Sequence, residues 1–203
     1  MKDLLDRHAP INQSNQYGSY PIHYALDRPE VLRLLLDRQE VDVNARNKDG
    51  HTALMLTIDH FPGDRKEAFD LLLEKRNDPD IKKRTDLNAK DKDGDTALIL
   101  AIHGGDLDKA RALIDAGSDL NIRGSAGYTA LHWAAQRGFP ELVRQLRAAG
   151  ADPDIRTNAG DTVLELARGF SSGPGQIVPI LEEAAKQQQQ LTMPTRQPQP
   201  PKL

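Results

Sequence analysis

The chain contains no cysteine, which removes thiolate nucleophiles, thiolate metal sites and disulfide frameworks. Chemistry would fall to its six histidines, His8, His23, His51, His60, His103 and His132, and to serines and carboxylates in the right company. Gly169-Phe-Ser-Ser-Gly173 matches the G-x-S-x-G pattern of a nucleophile elbow. An elbow needs a strand before it and a helix directly after it. Here an apolar-periodic helical run, 162–168, precedes it and Pro174 follows. Asp91-Lys-Asp-Gly-Asp95 resembles a calcium loop, but its glycine is fourth where an EF-hand wants it sixth, and Ile102 occupies the place of the bidentate glutamate. None of the histidines has a partner at H-E-x-x-H spacing, and there is no Walker A loop or dinucleotide fingerprint. Asn12-Gln-Ser14 is a glycosylation sequon, which has meaning only in a eukaryotic secretory protein. No catalytic residue, metal site or cofactor is expected.

What these residues share is position within a repeat. Gly50-His-Thr-Ala-Leu, Gly94-Asp-Thr-Ala-Leu, Gly127-Tyr-Thr-Ala-Leu and Gly160-Asp-Thr-Val-Leu recur at intervals of 44, 33 and 33, and Gly18-Ser-Tyr-Pro-Ile precedes Gly50 by 32. A second mark follows in each unit: Val43-Asn44, Leu87-Asn88, Leu120-Asn121 and Asp154-Ile155. Between the marks lie apolar residues at helical spacing, such as Leu142, Val143 and Leu146. Thr52, Thr96, Thr129 and Thr162 stand where a helix start needs a hydroxyl to receive an orphan backbone N–H. Thr162-Val-Leu-Glu165 also reads as a capping box. Tyr20 replaces the threonine in the first unit, and Pro21 follows at a position where its missing N–H costs nothing. Gly18, Gly50, Gly94, Gly127 and Gly160 give the turns a permissive backbone, and Gly117 and Gly150 follow the second helices as C′ glycines do.

The units resemble the ankyrin repeat, a β-turn and two helices in about 33 residues with a T-P-L-H-x-A signature. The match is strongest over Gly127-Tyr-Thr-Ala-Leu-His-Trp-Ala-Ala-Gln-Arg-Gly138 and Ala149-Gly-Ala-Asp-Pro-Asp154. The resemblance implies an all-α, helix-turn-helix solenoid of four to five repeats with short β-turn tips, at about 16–46, 47–90, 91–123, 124–156 and 157–185. Residues 1–15 align with the second helix of a repeat whose first half is absent, since Leu4-Leu-Asp-Arg-His matches Leu113-Ile-Asp-Ala-Gly. Half a repeat caps a solenoid poorly, so an upstream segment is expected. The Gly50 unit is 11 residues longer than its neighbours, with extra residues near His60–Asp64 and an insertion within 75–86. Residues 186–203, with six glutamines and four prolines, read as a disordered tail.

Composition agrees with a stack of small units. Aromatic residues are 4% of the chain, too few for one bulky core, and the net charge of −3 lacks the basic excess of a nucleic-acid binder. No apolar run is long enough to span a bilayer, and the N-terminus has no signal-peptide core. A cytoplasmic location is the default, with a periplasmic or secreted one following if a leader precedes Met1. The Ala-, Asp- and Arg-rich units suggest a bacterial source.

The resemblance further implies a non-catalytic module that binds a protein through its concave surface. No nucleic-acid or membrane partner is expected, and the isolated chain is expected to be monomeric. Transferred by register, the partner-binding residues are Tyr17, Arg28, Lys48, His51, His60, Lys92, Asp93, Asp95, His103, Tyr128, Trp133, Arg137 and Asp161. Asp49, Asp59, Asp93, Asp95 and Asp161 disfavour a polyanion and suit a partner with a basic patch. His23 and His132, in the T-P-L-H histidine slot, are assigned a structural role between neighbouring repeats. Narrower alternatives are a bacterial immunity protein that blocks a cognate toxin enzyme, and a secreted effector that engages host proteins.

Overall fold

The computed structural model describes residues 11–58, 65–77, 79, 84–169 and 176–183. Residues 1–10, 59–64, 78, 80–83, 170–175 and 184–203 lie outside them, so most of the half repeat, the Asp59 and His60 assignments, part of the 75–86 insertion and the disordered tail do too. Five helical pairs follow one another. They are α1 (Pro21–Tyr24), prolonged by a 3₁₀ turn at Ala25–Asp27, with α2 (Pro29–Leu36); α3 (Ala53–Leu56) with α4 (Lys66–Glu74); α5 (Ala97–Gly104) with α6 (Leu107–Asp115); α7 (Ala130–Gln136) with α8 (Pro140–Ala148); and α9 (Val163–Gly169) with α10, helical over 177–183. Among the described residues there is no strand.

The two members of a pair bury different surfaces. In α5, Ala97, Leu98, Ile99, Ala101 and Ile102 are all buried, because a first helix is packed between its own partner and the first helices on either side. Alanines at Ala97, Ala101, Ala130 and Ala134 let those backbones come close. The second helices are amphipathic. In α6, Ala110, Leu113 and Ile114 face inward, while Asp108, Arg111 and Asp115 are exposed. α1, α3, α5, α7 and α9 thus stack as one layer, and the second helices cover one side of it. Leu98 and Leu131 are fully buried in that stack, each contributing about 2–3 kcal/mol by leaving water.

Polar side chains fix the register between units. Asn12, Asn44, Asn88 and Asn121 each use Oδ1 to accept the backbone N–H of the next unit's aspartate, at Asp42, Asp86, Asp119 and Asp152, over 2.8–3.1 Å. Each aspartate in turn accepts the N–H two residues on, at Asn44, Asn88, Asn121 and Asp154. The repeated apolar-asparagine mark is therefore half of an inter-repeat ladder.

One rung before the ladder breaks its own rule. Thr85 Oγ1 donates to the Leu72 carbonyl at 2.7 Å, but Ser118 Oγ, in the corresponding slot, is buried with no hydrogen-bond partner. Val41 and Ala151 fill that slot elsewhere. Ser118→Ala is expected to leave stability unchanged or raise it by up to about 1 kcal/mol, since it removes an unpaid desolvation. A loss above about 1 kcal/mol in urea unfolding would contradict that.

Candidate functional site

Each unit opens on a tight turn that points its middle residues outward. The backbone N–H of Asn15, Asn47, Asp91, Gly124 and Thr157 donates to the carbonyl four residues on. In four units a side chain at the first position organises the turn from inside, in the fifth unit through Thr157 Oγ1, which accepts Asp161 N at 3.3 Å. Asn15 Oδ1 accepts Tyr17 N and Ser19 N, Asn47 Oδ1 accepts Asp49 N and His51 N, and Asp91 Oδ1 accepts Asp93 N and Asp95 N, all at 2.9–3.0 Å. These Asx turns hold the outward residues in place.

The fourth turn lacks such a side chain, because Gly124 occupies its place. The preceding unit supplies one: Asp95 Oδ1 accepts Ser125 N at 2.8 Å, and Oδ2 accepts the Ser125 hydroxyl at 2.6 Å. Asp95 is thus committed to the frame and not presented outward. His51 is likewise turned inward, with Nε2 at 3.5 Å from Oδ2 of the buried Asp91. Lys92 pairs across units with Asp49 at 2.6 Å, which lowers the Asp49 carboxyl and raises the Lys92 ammonium from their ordinary values. Tyr17 is 65% exposed, and Arg28, Lys48 and Asp93 are also exposed, while Asp161 is half-buried.

The helix starts follow the threonines. Thr52 and Thr96 accept the N–H of Met55 and Ile99, and Thr162 exchanges bonds with Glu165, whose carboxyl is held low chiefly by the Thr162 backbone N–H. In the first and fourth units a histidine completes the start. Tyr20 N–H donates to His23 Nδ1, and Thr129 N–H to His132 Nδ1, each at 3.2 Å. That leaves the ring proton on Nε2. His23 Nε2 then reaches the Ala45 carbonyl of the next unit at 3.0 Å. His132 Nε2 is buried without a partner at bonding distance, although the carbonyls of Ile155 and Asp161 lie toward it.

Burial lowers the pKa of both imidazoles. The unfolded chain therefore takes up protons that the native state refuses. Stability is fully present above the ordinary imidazole pKa and falls as pH drops through it. Unfolding free energy is expected to decline from about pH 7 to about pH 5.5, and the decline to shrink in a His23→Gln, His132→Gln variant. An unchanged slope in that variant would refute the assignment.

One group of ring side chains crosses from the third unit to the fourth. Trp133 on α7 lies 4.4 Å from the ring of His103 on α5 and 5.0 Å from Tyr128 at the turn, and Tyr128 lies 5.5 Å from His132. Trp133 is half-buried against the core, with its indole N–H buried and unpaired. Arg137 donates to the His103 carbonyl at the same joint. Four residues assigned from register, His103, Tyr128, Trp133 and Arg137, thus come together. Asp27, at the equivalent helix end of the first unit, is instead bridged to Arg65 at 2.7 and 3.1 Å, which depresses its carboxyl.

Register reasoning missed Tyr24, which is 60% exposed and holds Asn15 Nδ2 at 2.6 Å through its hydroxyl. The signal was present, because Tyr24 occupies the slot of Trp133. The described part of the 75–86 insertion lines a concavity of about 490 Å³ with Asn44, Asn88 and Gly117. Among the described residues no cluster of three metal-ligating side chains occurs, and no helix is long and apolar enough to cross a membrane.

A stack of paired helices with outward turn tips, joined by backbone and amide ladders, defines a repeat solenoid built to present surface. The family model for ankyrin repeats (3 copies) matches residues 1–85 and 81–157, and the chain belongs to the ankyrin repeat family. Its structure is similar to the crystal structure of the ankyrin repeat domain of Bcl-3, a unique member of the IkappaB protein family. That match has a TM-score of 0.74 and 31% identity, and covers 89% of this chain and 75% of the other. No curated protein matches the chain in sequence. The fifth unit falls beyond the family match, yet it forms the same turn, from Thr157 N to Asp161 O at 2.9 Å. Family and fold are those of a protein–protein interaction module.

Proposed function

We propose that the chain is a non-catalytic module that docks a folded protein on the surface formed by its turn tips and first helices, the concave side of an ankyrin stack. The observation that carries this is the His103–Trp133–Tyr128 cluster, which joins two units on that side. Large rings inside a polar rim are what protein interfaces use as anchors. The rim carries Asp93 and Asp161, neither in an ion pair among the described residues, so a basic patch on the partner complements it.

The test is capture from native lysate by the full chain, followed by mass spectrometry. The control is a Tyr128→Ala, Trp133→Ala, Asp93→Lys variant whose circular dichroism matches the parent. A stoichiometric partner is expected to be lost in the control. A partner the control retains would place binding elsewhere and sink the proposal. If the partner is an enzyme, its activity with and without the chain separates a blocking role from an adaptor role.

A further inference from the structure

The four described histidines stand one at each joint between the five helical pairs. His23 reaches from the first unit to the Ala45 carbonyl of the second at 3.0 Å. His51 reaches from the second to Asp91 of the third at 3.5 Å. His103 of the third packs its ring on Trp133 of the fourth at 4.4 Å. His132 of the fourth is buried toward the Ile155 and Asp161 carbonyls of the fifth. In the units between, Met55 and Ile99 fill the slot of His23 and His132, and neither titrates.

The outer two rings have no place for a second proton. Nδ1 of His23 accepts the Tyr20 N–H, and Nε2 carries the proton directed at Ala45. Nδ1 of His132 accepts the Thr129 N–H and lies 2.8 Å from the Thr129 hydroxyl. A proton on either Nδ1 would displace the backbone N–H that opens its helix and orphan it in the interior. Both rings are buried. The charged groups that act on them are cations or become cations in acid: His51 on His23, and Arg123 on His132. The rings of Tyr20 and Tyr128 stand beside them, at 5.8 and 5.5 Å.

The inner two gain from a proton. His51 Nε2 faces the carboxylate of Asp91, and its charge also acts on Asp49, which Lys92 pairs. His103 lies against the indole of Trp133, and a cation within about 6 Å of an indole centroid is attracted to its π system. Arg137, which donates to the His103 carbonyl, is a charged side chain at the same joint.

We infer that acid opens this stack from its outer joints inward, so that the first and fifth units loosen while the middle three stay joined. Carboxylates stay ionised down to about pH 5.5, so the asparagine ladder and the ion pairs are unchanged over the range in which imidazoles titrate. Opening an outer joint frees one imidazole to take up one proton. The native pKa of each outer ring is lowered by burial, so the joint is firm at high pH and weakens as pH falls. One proton per opening raises the opening constant about tenfold for each pH unit below the ordinary imidazole value of about 6.5. Opening an inner joint takes an imidazolium away from a favourable partner, so acid gives it no advantage. The first unit carries the exposed rings of Tyr17 and Tyr24. Acid thus removes them from the ordered surface and leaves the His103–Trp133–Tyr128 group in place.

The test is hydrogen exchange of the full chain, read by mass spectrometry at about pH 7.5 and about pH 5.5 and corrected for the intrinsic exchange rate at each. Protection of α1 and α9 is expected to fall about tenfold, and that of α5 by less than about twofold. His23→Gln, whose amide can donate to Ala45 without titrating, is expected to abolish the fall at α1 alone, and His132→Gln the fall at α9 alone. Should either variant fail to fold, the order of loss along the parent chain decides. An equal fall in all five units, a fall that begins at α5, an outer unit that keeps its protection, or a folded glutamine variant that still loses it would overturn the inference.

Discussion

Gly124→Ala is expected to destabilise the fold by about 2–4 kcal/mol, and by less than about 1 kcal/mol when Asp95 is already alanine. A Cβ on Gly124 would stand 2.0 Å from Asp95 Oδ1 and 3.0 Å from Ile99 Cδ1. The carboxylate would have to leave, giving up its bonds to Ser125 N and Oγ. Hydrogen bonds to a charged group are worth about 1.5–3 kcal/mol each where partly buried, and the orphaned Ser125 N–H adds its own penalty. Asp95→Ala alone loses the same bonds, so the two substitutions remove one interaction between them. Urea unfolding of the four proteins of the cycle gives the coupling. Additive effects would mean that the fourth turn does not depend on the third unit's carboxylate.

That joint also shows where sequence reasoning ends. The repeat period, the threonine caps, the turn glycines and the apolar-asparagine marks were legible because each recurs and each answers a local backbone need. The fold class followed from them. The first turn position was not legible as a class, because it is filled by Asn15, Asn47, Asp91, Gly124 and Thr157. A side-chain oxygen does the work in four of these, and in the fifth the oxygen belongs to a residue 29 positions earlier. No pattern within one unit can reveal a cap borrowed from the one before it.

The same limit governs the surface. Register placed Tyr128, Trp133, His103 and Arg137 on one side, and the structure brings them into contact. Register could not say which tip residues spend their polar atoms on neighbouring units. The Asp95 and His51 side chains do so, while the Asp93 carboxylate, two residues before Asp95, does not. Outward position on a turn and availability to a partner are separate properties, and the second depends on what the adjacent unit needs.

Gly127→Ala is expected to cost about 3 kcal/mol, and Gly160→Ala about 1 kcal/mol, although the two glycines hold the same place in successive turns. Both have positive φ, +76° and +94°, so both substitutions pay the left-handed strain of roughly 1–2 kcal/mol. Only Gly127 has a unit packed against it. A Cβ there would lie 2.7 Å from Asn158 N and 2.5 Å from Asn158 Oδ1. Asn158 N already donates to the Ala126 carbonyl at 2.9 Å, and Asn158 Oδ1 accepts from Arg123 at 2.8 Å. The new methyl would push the fifth turn away and break both bonds. Gly160 has nothing within 4 Å of its added Cβ. The difference between the two variants therefore isolates the contribution of one inter-repeat joint from the strain of the turn itself. Thermal and urea unfolding should show Gly127→Ala losing the fifth unit's α9 and α10 signal before the rest, as expected where stability is a sum of units and nearest-neighbour contacts. Equal losses in the two variants would mean that turn strain alone fixes these glycines, and that the turns stack without mutual support.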